Sequence, residues 1–300
     1  MKIGRAAWLT DTGRRRMRNE DAYVFEPPLF AIADGMGGAR AGEVAAGLAA
    51  AALRDQRRQV VDEESLEAII GEANRRVWER SVADPSTAGM GTTFTVALVD
   101  ASAERIVFGH VGDSRAYRLR GDELEQITTD HSLVAELVES GVLTPEEAEV
   151  HPQRSAITRA VGTERAIEVD VFPVPAELGD LVLLCSDGLT DMLSEEEIAS
   201  ALLEADRDPE AAAKRLVAAA NARGGEDNIT VVLFELVEGE PEQALDEQPA
   251  AADEVTDPDL AESDDVSRHG AGSGGRLASL ALVAAVLGIG VLALYWGISR

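Results

Sequence analysis

A single cysteine, Cys185, stands among 300 residues, which rules out an internal disulfide framework and a four-cysteine zinc site. It lies in the apolar run Leu181-Val182-Leu183-Leu184-Cys185 and reads as a small buried residue. Cations are also scarce: 27 Lys and Arg face 55 Asp and Glu, a formal net charge of −28. Nucleic-acid binding needs Lys and Arg to displace counterions from phosphates, so no nucleic-acid partner is expected. Acidity suits cation binding, although solubility alone accounts for most of it. The start, Met1-Lys2-Ile3-Gly4-Arg5, lacks the continuous apolar stretch of a signal peptide, which places the bulk of the chain in the cytoplasm. Histidine is confined to His110, His131, His151 and His269. His110 sits in an apolar run and reads as a packed core residue.

What is present divides into zones. Residues 1–237 carry periodic apolar patterning, the mark of one folded domain. Residues 238–275 hold about a dozen Asp and Glu, several Pro and the run Gly270-Ala271-Gly272-Ser273-Gly274-Gly275, so they read as a disordered linker. From Leu277 to Trp296 no charge appears, enough apolar helix to cross a bilayer, and Tyr295-Trp296 suit its far interface. We therefore expect a transmembrane helix over 276–297 and a short tail, 298–300. Arg268 and Arg276 before the span against Arg300 after it favour a cytoplasmic catalytic domain tethered to the cell membrane by a single pass.

Within the first zone, short β-branched runs predict strands at 22–25, 29–33, 93–99, 105–111, 116–120, 168–172, 181–185 and 229–236. Several are joined by hairpin-length turns rather than by crossovers. Helical spacing appears at Leu66, Ile69, Ile70, Ala73 and Val77, over 42–53, and from Pro209 to Arg223. The expected fold is α+β: two antiparallel β-sheets packed as a sandwich and flanked by helices (αββα), with the transmembrane helix appended.

Five aspartates stand at the ends of these strands: Asp21, Asp34, Asp113, Asp187 and Asp227. If 22–25 and 29–33 form a hairpin about Glu26-Pro27-Pro28, Asp21 and Asp34 reach the same edge. Asp187 follows its strand and Asp227 precedes its own, so antiparallel placement gathers four carboxylates at one end. Like charges so placed need neutralising. Oxygen donors without cysteine suit Mg²⁺ or Mn²⁺ rather than zinc, and two such ions can activate a water for in-line displacement. Any one aspartate could simply favour a turn; the set points to a metal centre.

Six ordered motifs resemble those of the type 2C metal-dependent serine/threonine protein phosphatases. They are Gly13-Arg14-Arg15-Arg16-Met17-Arg18-Asn19-Glu20-Asp21, Ala33-Asp34-Gly35-Met36-Gly37-Gly38, Gly91-Thr92-Thr93, Gly112-Asp113-Ser114-Arg115, Ser186-Asp187-Gly188-Leu189 and Asp227-Asn228-Ile229-Thr230. The resemblance covers residues 5–237, and the tethered arrangement is similar to bacterial members that oppose transmembrane Ser/Thr kinases. It implies that Asp34 bridges two core ions, Mn²⁺ or Mg²⁺, and that the Gly35 carbonyl ligates one of them. Asp187 and Asp227 would complete the second ion's shell, while Glu20 and Asp21 hold metal-bound waters. Asp113 and Asp187, with Ser155, would form a third, weaker site. Arg16 takes the position of the phosphate-binding arginine, suited to bidentate capture. Arg14, Arg15 and Arg18 read as solvent-exposed charge.

Arg16, Asp34 and Asp187 are thus the expected catalytic residues, acting on phosphoserine and phosphothreonine by metal-activated water attack. Met36 stands where animal-type members carry a histidine proposed as the leaving-group acid, so that proton is assigned to a metal-bound water. The segment 131–153 resembles the family's flap, two short helices with Pro145 opening the second. Expected partners are phosphorylated proteins, including Ser/Thr kinases. Two other readings stay in view: a catalytically silent metal-binding docking module, and a phosphatase dedicated to one regulatory switch phosphoprotein.

Overall fold

The computed structural model describes residues 1–37 and 41–239. One sheet runs in the order β1 (Lys2–Asp11), β11 (Ile229–Val237), β10 (Leu181–Cys185), β7 (Arg115–Arg120), β8 (Glu123–Gln126). The second runs β2 (Asp21–Glu26), β3 (Leu29–Met36), β5 (Phe94–Asp100), β6 (Arg105–Val111), β9 (Asp170–Pro175), and the short β4 (Gly91–Thr92) pairs with β3. Every pairing is antiparallel.

Helices α1 (Ala41–Gln56) and α2 (Glu63–Ala83) cover the outer face of the second sheet. Helices α6 (Glu195–Glu204) and α7 (Pro209–Ala222) cover the first. Between strands lie α3 (Leu133–Glu139), α4 (Pro145–Glu149) and the single turn α5 (Asp187–Thr190). The αββα sandwich expected from the sequence is therefore observed. The linker beyond Gly239, the expected transmembrane helix 276–297 and the tail lie outside the described residues. Among the described residues no helix is long and apolar enough to cross a membrane.

Both faces of each sheet are buried, so the central strands read as continuous apolar runs. In β3, Leu29, Ala31 and Ala33 pack beneath α1, while Phe30 and Ile32 face the other sheet. In β11, Val231 and Leu233 pack beneath the helices, while Val232, Phe234 and Leu236 face inward. Phe30 stacks on Phe234 at 4.3 Å between ring centroids, joining the sheets at their centre.

The period-2 register also explains where the interior stops being apolar. Continuing the inward-facing set along each strand gives Asp21 after Tyr23, Asp34 after Ile32, Ser186 after Leu184 and Thr230 before Val232. Thr95, His110 and Ser114 hold the equivalent positions of β5, β6 and the approach to β7. One end of the space between the sheets is lined by polar side chains contributed by both.

Three strands escape the sequence pattern. β1 is a half-exposed edge strand whose register shifts between Ile3 and Ala6, which breaks its alternation. β8 is a four-residue, partly exposed edge segment rich in Glu, and β4 has only two residues. Helix α6 was also absent from the pattern, although Ser194 and Glu197 form a capping box at its start.

Candidate active site

The hairpin closes over Pro27-Pro28 with Glu26 opposite Leu29, and its register sets Asp21 directly opposite Asp34. Like-charged pairs at that position are destabilising, so the neighbours must compensate. The Asp34 backbone is held by the threonines of the Gly91-Thr92-Thr93 motif. Its N–H donates to Thr93 Oγ1 at 2.9 Å, and its carbonyl accepts from Thr93 N at 2.9 Å and Thr92 Oγ1 at 2.8 Å. Thr93 Oγ1 in turn pairs with Ser114 Oγ at 2.6 Å, tying this strand to the loop that carries Asp113.

Asp21 is held from the opposite sheet. Its Oδ2 accepts from Thr230 Oγ1 at 2.6 Å and from Ser186 Oγ at 2.9 Å. Because Thr230 spends its proton on Asp21, Thr10 Oγ1 must donate to Thr230 Oγ1 at 2.7 Å, and Asn19 Nδ2 donates to Thr10 at 2.7 Å. The chain of donors Asn19, Thr10, Thr230 ends on the Asp21 carboxyl.

Asn228 fixes the arginine-bearing loop. Its Oδ1 accepts from Glu20 N at 2.7 Å, and its Nδ2 donates to the carbonyls of Thr12 at 2.9 Å and Arg18 at 2.8 Å. Arg14 N donates to Gly225 O at 2.7 Å, which anchors the loop a second time. Arg16, exposed at the centre of that loop, reaches Asp227 Oδ2 with Nη2 at 2.5 Å.

Gly35 allows β3 to touch the start of α1. A Cβ there would lie 2.2 Å from the Gly42 carbonyl and 2.5 Å from the Glu20 carbonyl, so no larger residue fits. The same contact seats the Glu20 carboxylate over Gly42.

Electrostatics mark the cluster. Burial, opposed by the Thr230 and Ser186 hydroxyls and reinforced by the charges of Asp187 and Asp227, pushes the Asp21 carboxyl up to about 7. Burial raises Asp34 well above the usual carboxylate range, with Asp21, Asp187 and Asp113 adding like charge. Asp187 is raised to about 6, first by burial and then by Asp191 and Asp227. Asp113 is raised to about 8, first by burial and then by Asp187 and Asp130. Glu20 is raised as well, mainly by burial.

These residues fit hard divalent cations. The buried Oδ1 atoms of Asp21, Asp113 and Asp187 have no hydrogen-bond partner among the described residues, and every donor in the cluster is oxygen. Among the described residues no three His, Cys, Asp or Glu side chains close on one point as a finished cage. That is compatible with small ions that keep several waters and take only one or two carboxylates each.

The structure thus brings Glu20, Asp21, Asp34, Gly35, Asp187, Asp227 and Arg16 to one end of the sandwich, with Asp113 on the adjoining loop. Ser155 lies exposed in a turn just beyond the flap. The flap contains α3 and α4 as expected, with Pro145 at the first position of α4. It is rooted by His131 N to Gly112 O at 2.8 Å and Leu133 N to Ala156 O at 2.9 Å. His110 is fully buried, as read from the sequence.

Sequence reasoning passed over Asp191, which lies one helical turn beyond Asp187 and is raised by burial in the same cluster. It also gave no role to the buried His131, whose Nε2 meets Asp170 Oδ2 at 3.1 Å. Arg159 bridges the same carboxylate through Nη1 at 2.7 Å. The i, i+4 spacing could have found Asp191; nothing local marks the His131–Asp170–Arg159 contact, which joins three separate segments.

A family model described as "Protein phosphatase 2C" matches residues 14–220. The chain belongs to this family. It is 41% identical over 242 residues to the serine/threonine phosphatase stp of Listeria innocua, covering 77% of this chain and 95% of that one. The crystal structure of the Mycobacterium tuberculosis serine/threonine phosphatase PstP/Ppp superposes with a TM-score of 0.73 at 41% identity, covering 79% of this chain and 100% of that one. A PstP catalytic domain in complex with two manganese ions superposes at 0.72 with 38% identity, covering 79% and 99%.

Proposed function

We propose that this member of the protein phosphatase 2C family hydrolyses phosphoserine and phosphothreonine in proteins, with Mn²⁺ or Mg²⁺ as cofactor. The observation that carries the reading is the cluster of Asp21, Asp34, Asp187 and Asp227 beside Arg16, in which buried oxygens of Asp21 and Asp187, and of neighbouring Asp113, are left without partners among the described residues. Asp34 and the Gly35 carbonyl would hold one ion, and Asp34, Asp187 and Asp227 its neighbour. Glu20 and Asp21 would orient the waters, and Asp113, Asp187 and Ser155 are assigned to a third site. When bound, the ions supply a water acidic enough to act as nucleophile near neutral pH and neutralise charge gathering on the phosphoryl group.

The chain's own residues do the positioning. Arg16 now pairs with Asp227, and its planar fork can exchange that carboxylate for the phosphoryl oxygens of substrate. Asn228 fixes the backbone of the loop that presents it, and Thr230 and Ser186 donate to Asp21 so that it remains an acceptor. Cys185 is fully buried with its thiol pushed up to about 12, unsuited to serve as a nucleophile. A catalytically silent docking module is disfavoured because Arg16, Asp34, Asp187 and Asp227 are all present.

The biological setting follows as part of the same proposal. The stretch 276–297, free of charge from Leu277 to Trp296, would tether the domain to the cytoplasmic side of the cell membrane, where Ser/Thr kinases and their products would be the substrates. Full-length chain expressed in cells is expected to release phosphate from a phosphothreonine peptide only with Mn²⁺ or Mg²⁺. That activity should sediment with membranes and be lost in Asp187→Asn. Activity unaffected by chelation or by Asp187→Asn would sink the metal reading; activity left in the soluble fraction would sink the tether alone.

A further inference from the structure

The loop that presents Arg16 carries three further arginines, Arg14, Arg15 and Arg18, in a chain of net charge −28. All three are exposed. Most arginines elsewhere sit against carboxylates, among them Arg5 on Asp208 and Glu235, Arg75 and Arg76 on Glu72, Arg105 on Asp100 and Glu63, and Arg120 on Asp180. Among the described residues Arg14, Arg15 and Arg18 form no such ion pair, although acidic side chains outnumber basic ones two to one. Simple solvation does not require three unneutralised charges within five residues.

The loop is also built to hold them in place. Its backbone is bonded at Arg14 and Arg15 to the Gly225 carbonyl, at 2.7 and 3.2 Å, and at Thr12 and Arg18 to the buried Asn228 amide. The chain is thus pinned at both ends while the guanidinium groups remain free. Beside it lies an open depression of about 580 Å³ lined by Thr12, Met17, Arg18, Asn19 and Glu43. Met17 is 97% exposed at the loop's tip. Just beyond the flap, Arg154, also exposed and without an ion pair among the described residues, acts on Asp191 beside the cluster.

Resting on the phosphatase reading above, we propose that Arg14, Arg15 and Arg18 make this enzyme selective for phosphosites flanked by Asp or Glu. A peptide bound in extended form advances ~3.3 Å per residue, so positions within about four residues of the phosphosite come within reach of a five-residue loop centred on Arg16. The rest of the protein repels an acidic peptide. Screening limits that repulsion to about 8 Å at physiological salt, so the charges next to the loop, its arginines together with Glu20 and Glu43, set the field that the substrate meets. Arg14, Arg15 and Arg18 are specificity residues, not catalytic ones; Arg16 alone is assigned to the transferred group.

The test compares full-length wild type with an Arg14→Gln/Arg15→Gln/Arg18→Gln triple variant on two phosphothreonine peptides, one Glu-flanked and one Gln-flanked. A control variant, Arg58→Gln/Arg165→Gln, removes exposed arginines outside the loop. The wild-type and control enzymes are expected to favour the Glu-flanked peptide by about tenfold in kcat/KM, as befits three exposed charge pairs. The triple variant should bring the ratio near one, mainly through KM, and about 0.5 M salt should do the same to wild type. Equal wild-type ratios would overturn the proposal. So would a triple variant that keeps the preference. Absence of release from either peptide would overturn the phosphatase reading and the selectivity with it.

Discussion

Asn228 offers the sharpest test of how the site is built, because a single buried amide holds a loop that carries the phosphate-binding arginine. Its side chain is 3% exposed and satisfies three backbone groups: Glu20 N–H, Thr12 C=O and Arg18 C=O. Asn228→Ala leaves all three to find water or go without. At about 1 kcal/mol net for each, the loss is about 3 kcal/mol. For a domain of this size that is roughly 6–12 °C in Tm. Since Arg16 lies between the two anchored carbonyls, KM for a phosphothreonine peptide should rise about tenfold.

The informative comparison is with Asn228→Asp, which keeps the shape and one acceptor. It loses both amide protons and sets a carboxylate against two carbonyls beside Asp227. If hydrogen bonding is what matters, the order of stability is wild type, then alanine, then aspartate. If Asn228 merely fills space, the near-isosteric aspartate will be the milder change. Thermal denaturation of the three proteins at one metal concentration, with peptide kinetics alongside, reads both quantities. An aspartate variant more stable than the alanine variant, or an alanine variant within about 2 °C of wild type, would refute the reasoning.

Two further outcomes follow from the buried carboxylates. In chelator, Asp187, Asp21 and Asp113 stand at about 6, 7 and 8 against an ordinary 3.8, so the native chain keeps protons that the unfolded chain has released. Stability must therefore fall as pH rises through this window, by at most ~1.4 kcal/mol per pH unit for each proton. Thermal scans from pH 5 to 8 should show that fall and its relief by Mn²⁺; a flat or rising Tm in chelator would contradict it. Thr230→Val removes the 2.6 Å donor that draws the Asp21 carboxyl downward, so the Mn²⁺ concentration for half-maximal activity should rise by roughly tenfold or more. An unchanged metal titration would show that the donor chain from Asn19 does not serve the site.

Much of the site was legible because it is written in strand ends. The opposition of Asp21 and Asp34 follows from a two-residue turn and the alternation of β-structure, and the register confirms it. The sandwich was legible for a related reason: strands buried on both faces leave long apolar runs that are hard to miss. Edge strands are the converse. β1 carries Thr10 to the Asp21 donor chain, yet its bulge and half-exposure erase the pattern that would announce it. The links between distant segments, Ser186 and Thr230 to Asp21 or Asn228 to Thr12 and Arg18, are tertiary facts with no local signature.

The inward-facing register carries one more physical point. Along β2, β3, β10 and β11 the residues filling the space between the sheets run Phe25-Tyr23-Asp21, Phe30-Ile32-Asp34, Val182-Leu184-Ser186 and Phe234-Val232-Thr230. Each strand obeys the apolar rule until its last step and then breaks it at the same end. A fold selected for stability alone would have continued the apolar series, since each raised carboxyl marks a charge that the interior resists. Four strands making the same local error at one height argues that the cost is retained for what the carboxylates hold. On that argument the metal-free site is a region of stored repulsion, and cation binding stabilises the fold by the same interactions that assemble the catalytic site.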